Sequence, residues 1–280
     1  IDTAINRNSL MSLSKMLGYL PRSRKSSFAN VNISVTPNDS PSNITIAKNT
    51  KFNTTIEGVS FTFVTDKSYS ATANNDNTAV LVENVKLVQG EPLSFRYTAN
   101  TADTSIKYRI PNRGVDTDSI TVVLQESVEN TTQSSYTLAS DLLNINSTSN
   151  VFFVEPDSDD TFKIQFGDGV LGRQEKTGNI VIINYNQTSG ILGNGARTFA
   201  PVDTVAGYSG VSVSTISASI GGADEETNDS IRFNAPRHLE VQNRAVTAND
   251  YKRIITRDYP QAESVVVYGG ENADPPQYGK

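Results

Sequence analysis

Gly167, Gly169 and Gly172 stand at the G-x-G-x-x-G spacing that cradles phosphates, inside the run TFKIQFGDGVLGRQEKTGNIVIINY (Thr161 to Tyr185). A dinucleotide site needs a strand, a glycine turn and then a helix whose first amides meet the pyrophosphate. Here the strand is present, but a Lys-Thr-Gly turn and an apolar β run follow. A kinase glycine loop does lie between two strands, yet it also requires a V-A-I-K lysine, an H-R-D loop and a D-F-G. The single histidine, His238, is followed by Leu239, and no D-F-G occurs. The glycines therefore read as backbone-shaping residues. Without a Cβ they accept positive φ and let a strand turn sharply back into a sheet, and Asp168 can bond nearby amides as Asp does in turns.

The other chemistry-bearing residues are sparse. The acidic run EPDSDDTFKIQF offers Asp157, Asp159 and Asp160, but the calcium-loop pattern would place a glycine where Phe162 stands, so these read as a solvated loop. There is no cysteine, which removes disulfides, thiol nucleophiles and cysteine-bound zinc together. One histidine forbids a two- or three-histidine metal site, and no G-x-S-x-G elbow exists to receive His238 as a triad base. It reads as a surface or helix-flanking residue. A pair of carboxylates could still serve sugar hydrolysis, since their separation is spatial. The chain lacks tryptophan, the usual sugar-stacking platform, although its tyrosines could substitute. The residues thus give no catalytic, cofactor-binding or metal-binding set, and no small-molecule substrate is expected.

Net charge is −6, from 24 Lys and Arg against 30 Asp and Glu. An acidic chain is poorly suited to displacing counterions from nucleic acid, and its one basic cluster, PRSRKSSF (Pro21 to Phe28), reads as solvation of a helix–strand junction. No apolar run approaches the ~20 residues of a membrane span. The opening stretch is amphipathic rather than a signal peptide. It starts without methionine and the chain ends abruptly after a strand-like run, so a segment of a longer polypeptide is expected.

These residues must be positioned by three regions. From Asp2 to about Leu20, Leu10, Leu13, Leu17 and Leu20 recur at helical spacing, with Pro21 closing the helix. From about Val31 to Ile220 the period becomes two. VSFTFVT and TFKIQF alternate strictly, while TAVLVENVKLV, SITVVLQ, VFFVE and NIVIINY are more continuously apolar. After Gly221, GGADEETNDSIRFNAPRHLEV carries acidic residues before an apolar, basic stretch and reads as a short helix whose negative start complements its dipole. A second helix follows with Thr247 as N-cap and Asp250 three residues on, and AESVVVYGG reads as a strand. The expected fold class is α+β: an N-terminal helical segment (1–30), a mostly antiparallel β body (31–220) and a small C-terminal α/β unit (221–280).

Three blocks carry a family resemblance: F-G-D-G-x-x-G-R at Phe166 to Arg173, G-G-A-D-E-E at Gly221 to Glu226, and R-A-V-T-A-N-D-Y at Arg244 to Tyr251. In this order the chain resembles the baseplate J-like family of contractile phage tails, most of all the wedge components of T-even-type phages. The clear part spans about Thr161 to Lys280, and NITIAKNTKFNTTIEGVSFTFVTD fits more loosely. The resemblance implies a structural virion protein of the tail baseplate, assembled in the host cytoplasm. It implies a homodimer that also contacts other wedge proteins in a ring around the tail hub, a ring that rearranges on sheath contraction. It brings no enzyme activity, cofactor, nucleic-acid or membrane partner. Interfaces favour aromatic and arginine anchors, which nominates Arg237, Arg244, Tyr251, Arg253 and Tyr259. The alternative is a carbohydrate- or receptor-binding module of a tail fibre or adhesin.

Overall fold

A computed structural model describes residues 1, 4–39, 41–73, 79–103, 108–139, 144–241, 248, 251–252, 254–255, 259 and 264–269. The side chains of 238–241 lie outside that description. The chain divides into two units. One comprises Ile1–Arg22, Pro156–Asp159 and Glu226–Lys280; the other comprises Ser23–Glu155 and Asp160–Glu225.

The smaller unit pairs helix α1 (Arg7–Met16) with helix α2 (Asn228–Val241). Asn6 caps α1, its side chain accepting from Asn8 N at 2.9 Å. The expected stop at Pro21 comes four residues late. Gly18, at φ +68°, ends the helix in a Schellman motif, with Tyr19 N donating to Ser14 O at 2.9 Å and Gly18 N to Lys15 O at 3.0 Å. The buried face of α1 is Leu10, Met11 and Ser14, packed with Tyr19 against Ile231 and Ala235 of α2, whereas Leu20 is exposed. Thr227 opens α2, accepting from Ser230 N through Oγ1 at 3.3 Å.

The larger unit is all β. Its strands are β1 (Phe28–Thr36), β2 (Asn43–Ile46), β3 (Lys51–Ile56), β4 (Val59–Thr65), β5 (Tyr69–Thr72), β6 (Val80–Gln89), β7 (Glu91–Thr98) and β8 (Tyr108–Ile110). There follow β9 (Val115–Gln125), β10 (Gln133–Leu138), β11 (Val151–Pro156, whose last residue belongs to the smaller unit), β12 (Phe162–Phe166), β13 (Ile180–Gln187), β14 (Ala200–Pro201) and β15 (Gly210–Thr215). One sheet runs β14-β3-β4-β6-β1-β15, a second runs β7-β13-β9-β10-β11-β12-β8, and β2 pairs β5 in a ribbon. β10 pairs β11 in parallel, whereas β1 with β6 and β15, β3 with β4 and β14, β4 with β6, β9 with β10 and β13, β7 with β13, β8 with β12 and β2 with β5 are antiparallel.

Period-two patterning fills both cores. Ala29, Val31, Ile33 and Val35 of β1 point inward beside Val85 and Leu87 of β6, with Phe52 and Phe63 between. The second sheet curls until its edges meet: the Tyr97 hydroxyl on β7 donates to Arg109 O on β8, and the Tyr97 ring lies edge-on to Tyr108 at 5.7 Å. Both larger sheets are thus nearly closed barrels.

The α+β expectation is overturned. The fold is mostly β, and no C-terminal α/β unit forms among the described residues. Residues 264–269, read as a strand in AESVVVYGG, are assigned no strand pairing with any described residue. The apolar run VVVY satisfied the composition of a strand, but a strand exists only where a neighbour takes its backbone bonds. The expected helix from Thr247 lies mostly outside the described residues. Alternation in TFKIQF sets Lys163 and Gln165 on the wet face opposite Phe162, Ile164 and Phe166, but Lys163 of β12 is buried and sits 3.4 Å from Glu155 of β11.

Candidate assembly site

The glycine loop joins β12 to β13, and the chain after Gly172 is extended and turning, not helical. Asp168 Oδ1 accepts from Val170 N and Leu171 N, both at 2.9 Å. These two bonds hold its carboxyl below the usual aspartate range. The amides a phosphate would need are thus already bonded to a side chain. Gly169 N donates to Gly172 O at 3.1 Å, and Gly172 N reaches Asn146 O at 3.1 Å. The three glycines do different jobs. Gly169 and Gly172 adopt φ +88° and +90°, while a Cβ on Gly167 would meet the Gly172 carbonyl carbon at 2.3 Å. Arg173 then anchors the loop end, its N–H on Ser149 O at 2.8 Å and its guanidinium 3.8 Å from Glu126.

The G-G-A-D-E-E block is bonded residue by residue. Gly222 exchanges two bonds with the Asn194 side chain, each 2.9 Å. Ala223 pairs with Lys25, Asp224 accepts weakly from Ile191 N at 3.4 Å, and Glu225 pairs with Arg24. In the smaller unit, buried Glu226 gathers Tyr19 OH (2.9 and 2.8 Å), Arg22 N (3.0 Å), Ser230 OH (2.5 Å) and Asn234 Nδ2 (2.9 Å). Its backbone carbonyl accepts from Arg7. Burial, then the Glu226 charge, push the Tyr19 phenol well above its usual range. The acidic residues expected to complement the α2 dipole mostly bond upstream partners; Asp229 alone stands in the first turn. The basic cluster Arg22, Arg24 and Lys25 is correspondingly tied down, Lys25 to Asp118.

Sequence reasoning missed a third constellation where β6 passes into β7. Asn186 of β13 donates to Gln89 O at 2.7 Å and to Ser26 Oγ at 3.0 Å. Gln89 Oε1 accepts from Thr188 Oγ1 at 2.7 Å and Ser189 N at 2.9 Å. Nearby, buried Asp116 accepts from Ser26 N at 2.9 Å and Asp118 N at 3.1 Å, yet burial raises its pKa. An amide side chain at the end of an apolar β run (Gln89 in KLVQG, Asn186 in INYNQ) was the available signal.

Of the nominated anchors, Arg237 lies on α2, where its guanidinium stacks on Phe233 at 3.7 Å and donates to Phe233 O at 2.7 Å. Tyr251 and Tyr259 are exposed. Arg244 and Arg253 lie outside the described residues. Groups of three or more acidic or histidine residues placed to hold a metal are absent among the described residues. His238 lies on α2.

Polar side chains that lock loops and strand crossings, set on nearly closed β barrels, define a scaffold class of site. Comparison with known proteins gives this class a particular likeness. Residues 247–280 match the family described as baseplate structural protein gp6, C-terminal domain I. The chain is 22% identical, over 92% of its length, to the baseplate wedge protein gp6 of Enterobacteria phage T4, and it spans 41% of that protein. A solved structure, the six-fold symmetrised baseplate of the anti-feeding prophage, aligns over 92% of this chain and 47% of its own at 15% identity, with a TM-score of 0.34.

Proposed function

We propose that this chain is part of a structural subunit of a contractile-tail baseplate wedge, resident in the virion tail baseplate and bound there to other baseplate proteins. The observation that carries this reading is the sequence similarity to the T4 wedge protein, which runs through nearly the whole chain rather than through one motif. The bonding within the chain agrees with it: Asp168 of F-G-D-G-x-x-G-R holds the backbone of its own turn, while Gly222 and Glu226 of G-G-A-D-E-E bond the remote side chains of Asn194 and Tyr19. Within this reading the chain belongs to the baseplate J-like group and self-associates as a homodimer. Arg237, Arg244, Tyr251, Arg253 and Tyr259 are its interface candidates, because the residues that dominate interface energetics are enriched in tyrosine and arginine.

Electron microscopy of purified particles labelled with an antibody to this chain tests the proposal. Label is expected at the baseplate. Label at fibre tips, or on no virion structure, overturns it.

A further inference from the structure

The first sheet is nearly closed, yet β14 lies beside β15 without bonding it, and the edge of β15 differs from the other edges of the two larger sheets. Edge strands are templates for unwanted pairing and are commonly guarded by charge or proline. Here β14 contains Pro201, β7 contains Glu91, Pro92 and Arg96, and β8 contains Arg109. The sequence of β15 is GVSVST, and no charged residue occurs between Asp203 and Asp224. In a chain with 54 charged residues among 280 (24 basic and 30 acidic), about four would fall in such a run. Central strand β13 is equally neutral, but β7 and β9 cover both its edges.

The register shows which groups face outward. Among the described residues β15 pairs with β1 alone, with Ser214 opposite Asn32 and Val213 opposite Ile33, and Ile216 N donates to Asn30 O at 2.9 Å. Bonded pairs alternate along an antiparallel ladder. The even positions 210, 212 and 214 therefore bond β1, and Val211, Val213 and Thr215 turn their backbone groups to the other side, where the Val211 N–H already donates to Ser209 O at 3.0 Å. The two-residue β14 closes the other end of this sheet without bonding β15. Val211 and Val213 pack on the core, while Ser212 and Ser214 are exposed.

We propose that β15 pairs antiparallel with β15 of a second copy of this chain, about a two-fold axis at Val213. The inference rests on the self-associating subunit reading and assigns its surface. The strand suits its own copy. Val213 meets Val213 of the second copy and exchanges both backbone bonds, Ser212 faces Ser214 twice, and two acidic chains meet along a strand without charge. Such self-complementarity is what a two-fold interface demands. A six-residue pairing falls below the roughly 1,200 Å² of a stable interface, so association is weak in isolation and depends on concentration.

A charge swap across the axis tests it. In Ser212→Glu/Ser214→Glu every cross-axis pair on the wet face becomes Glu against Glu; in Ser212→Lys/Ser214→Glu each becomes Lys against Glu. Sedimentation equilibrium of the wild-type chain should show a dimer at high concentration. The double-Glu variant should associate at least ten-fold more weakly, and the Lys/Glu variant should return to wild-type association or better. Circular dichroism should give all three the same fold, since both serines are exposed. A dimer unmoved by the double-Glu change overturns the β15 pairing and leaves the homodimer intact. Equal loss in both variants overturns the register and the axis. A wild-type chain monomeric at millimolar concentration overturns pairing and homodimer together, while particle labelling separately decides the baseplate reading.

Discussion

Tyr19 and Glu226, 207 residues apart in sequence, are joined by one phenol that reaches both carboxylate oxygens, at 2.9 and 2.8 Å. The contact fixes the end of the first helical segment to the start of the second. It lies where Glu226 receives three further donors and where water is excluded.

Replacing Glu226 by Gln presents an amide donor to donors already in place. The expected loss is about 2–4 kcal/mol, the scale of leaving buried polar groups unmatched. Tyr19→Phe removes one bond to a charged acceptor and should cost about 1.5–3 kcal/mol. Urea denaturation followed by circular dichroism at 222 nm, where α1 and α2 contribute, measures both. A Glu226→Gln chain as stable as wild type would mean the carboxylate is not the organising group.

Alkaline pH should weaken the fold through its tyrosines. Burial, then the Asp66 bond, raises Tyr69 to about 12, and burial with neighbouring Tyr97 raises Tyr185 to about 12; Tyr19 and Tyr108 are raised further. Each is neutral when protonated, and each has a folded pKa above the unfolded value near 10. The stabilisation is therefore complete below pH 10 and is lost as pH rises from there through 12. Absorbance at 295 nm should show these phenols ionising late, with stability falling over the same window. Ionisation of all tyrosines near pH 10 with the fold retained would contradict the burial.

Much of this arrangement was legible because period-two alternation is local. VSFTFVT and TFKIQF each became a strand, since a half-buried sheet rewards that spacing directly, and NIVIINY did so as a continuously apolar run covered on both edges. The glycine turn was legible for the same reason: Asp168 and its glycines bond within a few residues. Glu226 was not, because its partners at Tyr19 and Arg22 are remote in sequence, and acidity before a helix looks like dipole complementation whatever it bonds. The absent strand at 264–269 shows the converse. β-branched composition marks a segment that fits a sheet, but no local pattern supplies the neighbour. Buried Lys163 was hidden in an alternating run, where a lysine reads as wet until its partner Glu155 is known.

The glycine loop separates two kinds of constraint. Gly169→Ala meets open space, with Gln174 Oε1 at 3.9 Å its nearest neighbour, and carries only the strain of φ +88°, about 1 kcal/mol. Gly167→Ala drives a Cβ into backbone at 2.3 Å and should cost more, about 2–4 kcal/mol, because the Gly172 and Leu171 backbone must move. Asp168→Ala should leave global stability near wild type while speeding hydrogen exchange of the Val170 and Leu171 amides. Thermal melts and exchange by NMR separate the three. A larger effect at Gly169 than at Gly167 would overturn this division of labour.

Where β6 passes into β7, Gly90 occupies φ +138°, and a Cβ there would lie 2.4 Å from Asn186 Nδ2 and 2.5 Å from Gln187 O. The close approach exists so that Asn186 can donate to Gln89 O and Ser26 Oγ. Gly90→Ala should therefore destabilise by about 2–4 kcal/mol, strain and displaced bonds together. Asn186→Leu should cost a similar amount by leaving those acceptors unmatched. The double variant is the informative one. If both changes act by breaking the same Asn186 bonds, the double should fall short of the sum of the singles by more than ~1 kcal/mol. Denaturation midpoints of the four proteins measure the coupling. Strict additivity would show that Gly90 serves the bend of the chain alone and not the placement of Asn186.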